Sequence, residues 1–232
     1  MKATRAILCA CILCLCSSAA QGQSVPYIGA GVVNLAALLA PPPAAADLRT
    51  AEEIRELQHL QGTAAAARLS LAKADVEESV FRLLTVFDRR VTPEQLPITA
   101  AFFRKLTADG APFIGAAKKH FGRLRPYAVA KDFAPICPRD TVDNRSYPSG
   151  HTSVGYLMGV VLATMMPEKK EAIFVRTQEY AESRLYCGVH YRSDIEAGRI
   201  AGTVLAAVAM NNAEFQRDFT ATKAELRAAL GY

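Results

Sequence analysis

The chain has 232 residues, 51% of them hydrophobic, enough for one sizeable core and therefore for a single domain with one active site. Its formal charge is +5, from 27 Lys and Arg against 22 Asp and Glu, with no dense basic block. That balance argues against a nucleic-acid surface, while a small anionic substrate is a sufficient partner for the basic excess.

The first residues read as a secretory leader. Lys2 and Arg5 supply a positive flank, Ala6 to Cys16 an apolar region, and Ser17 to Gly22 a small-residue cleavage zone that suits a cut after Ala20 or Gly22. We therefore expect a signal peptide at 1–22, a mature domain at 23–232, and a periplasmic location. The apolar run is too short to span a bilayer comfortably, so no stable membrane insertion is expected once the leader is gone. Leu8-Cys9-Ala10-Cys11 loosely resembles a lipobox, but the apolar region before Cys11 is too short for one. The leader takes Cys9, Cys11, Cys14 and Cys16, and leaves Cys137 and Cys187. In an oxidising compartment that even pair is a disulfide candidate, two buried thiols being the alternative.

Val25 to Leu39 is apolar, carries Gly29 and Gly31, and ends at Pro41-Pro42-Pro43, which predicts an extended arm or lid rather than a core element. Thr50 with Glu53 fits a capping box, and Ile54, Leu57 and Leu60 repeat at helical spacing as far as Gly62. Val76, Val80, Leu83, Leu84 and Phe87 predict a further helix with one apolar stripe. Helices are also expected over Ile98–Thr107, Pro112–Phe121, Ser149–Met165, Glu168–Arg184, Tyr191–Met210 and Ala213–Ala229. Strand-like alternation is almost absent, so the fold class is all-α, a compact single-domain helical bundle. Ile200 to Met210 is very apolar, but it is short and follows Arg199, so it reads as a core helix.

Three segments concentrate groups suited to phosphate. Lys118 precedes Arg125-Pro126 by seven residues, two helical turns, so the two cations can share a face while Lys119 points elsewhere and Pro126 closes the helix. Tyr147-Pro148-Ser149-Gly150-His151-Thr152 places backbone N–H groups, a hydroxyl and an imidazole at a helix start, where free donors and the macrodipole favour an anion. Gly150 there permits close approach of the backbone. Ser183-Arg184 is followed by His190 and Asp194, and a carboxylate four residues on can fix the imidazole tautomer and make the other nitrogen a better nucleophile. Each segment alone also fits a plainer reading: a solvated helix face, a Ser-capped helix start, a surface His–Asp pair.

Together, Lys118 with Arg125-Pro126, Pro148-Ser149-Gly150-His151, and Ser183-Arg184 with His190 and Asp194 resemble the three-part signature of the type 2 phosphatidic acid phosphatase and vanadium haloperoxidase superfamily. Eleven positions agree in residue and local spacing. Within it the chain resembles most the class A bacterial nonspecific acid phosphatases, also at Leu38-Leu39, Ser146-Tyr147 and Cys187-Gly188. It departs mainly between Gly62 and Thr107 and in the Arg139 to Arg145 loop, which bear on substrate preference.

The resemblance implies an exported phosphatase acting on small phosphate monoesters. His190 would attack phosphorus, Asp194 would steady the imidazolium, and His151 would protonate the leaving oxygen and then serve as base for water. Lys118, Arg125, Ser149, Gly150 and Arg184 would hold the phosphate, with no metal and no cofactor, because protein cations neutralise the charge. It also implies a Cys137–Cys187 disulfide, and a homo-oligomer is compatible with it. A vanadium-dependent haloperoxidase and a lipid- or sugar-phosphate-specific phosphatase are the alternatives on the same scaffold, and a catalytically dead phosphate binder is the non-enzymatic one. Haloperoxidases are much longer chains, lipid phosphatases usually carry several membrane spans, and no signature residue is missing here. His59 and His120 match no part of the signature and read as structural or solvated.

Overall fold

The structure, a computed structural model, describes residues 25–232. The predicted leader at 1–22 and its four cysteines lie outside the described residues. Among the described residues every regular element is helical: α1 (Leu35–Leu38), α2 (Leu48–Thr63), α3 (Ala66–Ala74), α4 (Pro97–Phe121), α5 (Pro126–Val129), α6 (Gly150–Met165), α7 (Lys170–Tyr186), α8 (Arg192–Met210) and α9 (Ala213–Leu230). The all-α bundle expected from the sequence is the fold found.

Helix α6 is its axis. Its sequence is apolar nearly all round, the pattern of a helix enclosed on several sides, and α4, α7 and α8 pack against it. Leu157, Val161, Leu162 and Met165 are wholly buried, each worth about 1.5–3 kcal/mol of burial. The tightest approach is to α8. A Cβ at Gly202 would stand 2.2 Å from the carbonyl oxygen of Ser153, and one at Gly198 2.8 Å from that of Ser149. Only glycine lets the two backbones meet this closely, and the contact ties the start of α6 to the first turns of α8.

The N-terminal segment is a core element, contrary to the arm or lid predicted for Val25 to Leu39. Tyr27, Ile28, Leu35 and Leu39 are buried in the main core. The Tyr27 hydroxyl donates to Asp218 (2.5 Å), its N–H to Asp109 (2.7 Å), and its ring packs on Phe102 and Phe215. Once its polar groups have partners, this apolar stretch is better buried than exposed.

Three other local expectations change. The two helices predicted over Ile98–Thr107 and Pro112–Phe121 are one helix, α4, with Pro112 inside it instead of at a helix start. Phe102, Phe103 and Leu106 before it and Ile114 and Ala117 after it are all buried, and this packing outweighs the roughly 3 kcal/mol that an interior proline costs. The stripe from Val76 to Phe87 forms two 3-10 turns, Val80–Arg82 and Leu84–Val86, in place of an α-helix. Val80, Leu83, Leu84 and Phe87 still reach the core, but Ser79 in extended conformation caps the Phe81 N–H and starts a fresh turn. The Thr50–Glu53 capping box does not form: Asp47 caps α2, and Glu53 turns inward to a buried arginine. Helix α3 was not anticipated.

Candidate active site

His190 lies on the turn between α7 and α8, just ahead of the helix that carries Asp194. Helix α8 starts at Arg192, and Asp194, in its first turn, accepts the Tyr191 N–H (3.0 Å) and faces Nδ1 of His190 (3.0 Å). The same oxygen of Asp194 accepts the Ser146 hydroxyl (2.5 Å), and the other accepts from Arg123 (2.6 Å). Since a carboxylate is an acceptor, Nδ1 of His190 carries the hydrogen.

The other nitrogen, Nε2, faces Nη1 of Arg125 at 2.6 Å. A guanidinium is only a donor, so Nε2 carries a lone pair and no hydrogen. His190 is thereby fixed as the neutral tautomer with a free Nε2. Burial, followed by the charges of Arg125, Lys118, Arg184 and His151, holds its pKa well below the usual histidine value. The residues from the three sequence segments therefore act on one imidazole.

Lys118 and Arg125 converge, but from different elements. Gly122 at φ 58° ends α4, and Pro126 opens α5 instead of closing the preceding helix. Lys118 donates to the Arg145 carbonyl (2.7 Å) and lies against Gly150, where a Cβ would come within 3.2 Å of its Cε. Its amine is pulled down to about 7, first by burial and then by the charge of Arg125. Arg184, in the last turn of α7, is pulled down to about 10, again chiefly by burial. Three buried side-chain nitrogens lack a hydrogen-bond partner among the described residues, and two of them are Nε of Arg125 and Nε of Arg184. Cations crowded together with donors unspent are arranged for an anion.

Ser149 caps α6, its hydroxyl accepting the Thr152 N–H, and its own N–H donates to the Asp194 carbonyl (3.0 Å). His151 is in the first turn of α6 and hydrogen-bonds none of the other predicted site residues. Its Nδ1 faces Glu78 Oε1 (2.7 Å), its Nε2 the Asp75 carbonyl (2.8 Å), and its ring stacks on Tyr180. The sulfurs of Cys137 and Cys187 are 2.08 Å apart, three residues ahead of His190. His59 and His120 are exposed and take no part.

Several participants escaped the sequence reading. Arg123, 7% exposed, bridges Asp194, Ser193 (2.7 Å) and Glu53 (2.9 Å) and lies over the Tyr191 ring at 3.9 Å. No local pattern marks it, because its partners lie 70 and 71 residues away in the chain. Asp140 pairs with Arg125 (2.5 Å). Glu78 lies in the segment that the periodicity misassigned.

A profile of the PAP2 superfamily matches residues 100–218, a range that includes every signature residue from Lys118 to Asp194. The non-specific acid phosphatase of Salmonella typhimurium is 32% identical over 167 residues, 68% of this chain and 66% of its own, so the chain spans about two thirds of that relative. The non-specific acid phosphatase of Providencia stuartii is 30% identical over 207 residues, 83% of this chain and 81% of its own. A bacterial vanadium-dependent iodoperoxidase of known structure has a TM-score of 0.58 and 18% identity, covering 75% of this chain and 52% of that one, which is a likeness of fold alone. The chain belongs to the PAP2 superfamily, and within it to the non-specific acid phosphatases.

Proposed function

We propose that the protein is an exported acid phosphatase that hydrolyses small phosphate monoesters through a phosphohistidine on His190. The observation that carries this reading is the hydrogen-free Nε2 of His190, set by Asp194 on one side and Arg125 on the other. The Nε2 lone pair forms a P–N bond as the P–O bond to the alcohol breaks, and His151 gives its proton to the departing oxygen. Asp194 stabilises the positive charge that the phosphorylated ring acquires. Water then attacks phosphorus, His151 accepts its proton, and the P–N electron pair returns to Nε2.

Lys118, Arg125 and Arg184 neutralise the equatorial oxygens, with the Ser149 hydroxyl and the Gly150 N–H as further donors. Arg125 passes its donor from Nε2 to a phosphoryl oxygen as the substrate enters. With three cations in these roles, no metal ion is required. Export rests on the leader-like sequence at 1–22.

The test is to turn over a phosphate-labelled ester, quench without acid and map the labelled peptide, with parallel assays in EDTA. The label is expected on His190 and activity is expected to survive chelation. Label on Ser149 or His151, or activity lost in EDTA and restored by a divalent cation, would overturn the mechanism.

A further inference from the structure

The structure contains a second histidine–carboxylate pair beside the one at His190, and the two are built for opposite protonation states. At His190 one ring nitrogen faces the acceptor Asp194 and the other the donor Arg125, which suits a neutral ring. At His151 both partners are acceptors: the Glu78 carboxylate at 2.7 Å from Nδ1 and the Asp75 carbonyl at 2.8 Å from Nε2. Only a ring carrying both hydrogens donates to both. Exchanging the two nitrogens by a ring flip leaves the conclusion unchanged, because each side still presents an acceptor.

We propose that Glu78 is a positioning residue for catalysis, holding His151 as a doubly protonated imidazolium with Nε2 as the nitrogen that delivers the proton to the leaving oxygen. This rests on the reading of His151 as the general acid. Glu78 fixes Nδ1, so it is the Nε2 hydrogen that exchanges the weak claim of a backbone carbonyl for the leaving oxygen. The Tyr180 ring, stacked at 5.2 Å on the imidazole, confines its plane.

The surroundings agree. The Glu78 carboxyl is drawn below its ordinary range, first by the hydrogen bond from His151 and, against the opposing effect of burial, also by the charges of His151, Arg184 and Lys118. Asp75 is not available as a rival partner through its side chain, because its carboxylate is taken by Arg82, Arg176 and Ser183. Only its carbonyl is left to His151. The Glu78 side chain is half-exposed, at 51%, so replacing it leaves the core intact. By contrast, Asp194 is wholly buried. The exposed carboxylate accompanies the group that must gain and lose a proton, and the buried one the group that must keep a fixed tautomer.

The experiment is a double-mutant cycle over Glu78→Gln and His151→Ala, read as phosphorylation rate with two substrates, an alkyl phosphate and p-nitrophenyl phosphate. The alkoxide needs a proton as it leaves, and p-nitrophenolate hardly does. Glu78→Gln is expected to lower the alkyl phosphate rate about tenfold to a hundredfold and the p-nitrophenyl rate less than about threefold, while Glu78→Asp recovers part of the loss. In the His151→Ala background Glu78→Gln is expected to add nothing, since it acts through that ring. Phosphate inhibition and melting temperature of Glu78→Gln should match those of the parent, since that side chain is half-exposed.

The proposal is overturned if Glu78→Gln slows both substrates equally, if it leaves both rates unchanged, or if its effect persists in full without His151. The general-acid reading fails separately: in that case His151→Ala itself shows no preference between the two leaving groups. As an independent readout, the His151 ring nitrogens should both give protonated ¹⁵N shifts in the parent in mild acid. Nδ1 should change in Glu78→Gln, and an unchanged spectrum counts against the assignment.

Discussion

Arg123 donates to the oxygen of Asp194 that His190 does not use, at 2.6 Å, and with its other terminal nitrogen holds Glu53 at 2.9 Å. The guanidinium is sandwiched between two buried carboxylates, and removing it leaves Asp194 beside a neutral imidazole with no cation paired to it and Glu53 with only the 4.0 Å approach of the exposed Arg49. Arg123→Met is therefore expected to cost about 3–5 kcal/mol of stability, as expected when one partner of a buried ion pair is removed. Urea unfolding measures that loss. The folded fraction should also have a reduced kcat, because Asp194 then faces Nδ1 of His190 held only by the Ser146 hydroxyl and the Tyr191 N–H. A variant as stable and as active as the parent would show that Arg123 neither supports the fold here nor positions Asp194.

Lys118 and His190 bracket a pH window. The Lys118 amine loses its proton near pH 7, since burial and Arg125 have pulled it down to about 7, so its charge is present below that pH and fades above it. The His190 ring, held well below the usual histidine value, stays neutral into acid and keeps Nε2 free there. Charged lysine and neutral histidine therefore coexist on the acid side of neutrality. The profile of kcat/KM, which reports the free enzyme, should be sustained in mild acid and fall as pH rises through about 7. In Lys118→Arg, whose charge does not titrate in this range, the alkaline limb should move upward whatever the absolute rate. An alkaline limb that stays in place in the variant assigns it to another group.

Much of this site was legible because its residues come in short segments whose local spacing survives in the fold: Ser149, Gly150 and His151 in sequence, Arg184 ahead of His190, and Asp194 four residues on. The supporting contacts were hidden because they are long-range. Arg123 meets Asp194 across 71 residues and Glu53 across 70, and nothing local in the chain marks that meeting. Glu78 was hidden differently. Its segment has helical periodicity because consecutive 3-10 turns bury nearly the same positions as an α-helix, and the Ser79 cap ahead of the first turn is a hydroxyl like any other in the sequence. At Pro112 the rule that proline ends a helix was outweighed by packing on both halves of α4, which no local pattern reveals.

The contact between α6 and α8 makes Gly202 a sensitive position far from the chemistry. Gly202→Ala would set a methyl carbon 2.2 Å from the Ser153 carbonyl oxygen, a backbone atom that cannot rotate aside. The helices must separate, at a cost on the order of 1–3 kcal/mol as for other overpacked sites. Because the same contact sets Ser149 against Asp194, activity should fall along with the melting temperature. Gly62→Ala, at a position with open space around it, is the control and should leave both nearly unchanged.

The Cys137–Cys187 pair joins stability to the surroundings of His190. It closes a loop of 50 residues, and on the chain-entropy model such a bridge restricts the unfolded state by about 4 kcal/mol. Its position carries a second consequence. The Ile136 N–H donates to the Cys187 carbonyl (3.0 Å), and two residues further on the Val189 carbonyl accepts from the same Nη1 of Arg125 that faces His190 (2.8 Å). Loosening Cys187 therefore loosens the carbonyl that aims Arg125 at Nε2. Reductant, or the Cys137→Ser/Cys187→Ser double variant, is expected to lower the melting temperature and also to reduce kcat at temperatures where the protein is still fully folded. Mass spectrometry of the parent should first find the two thiols joined. Free thiols in protein produced in an oxidising compartment would remove the premise. A lowered melting temperature with kcat unchanged would confine the bridge to stability and leave the aim of Arg125 to the loop itself.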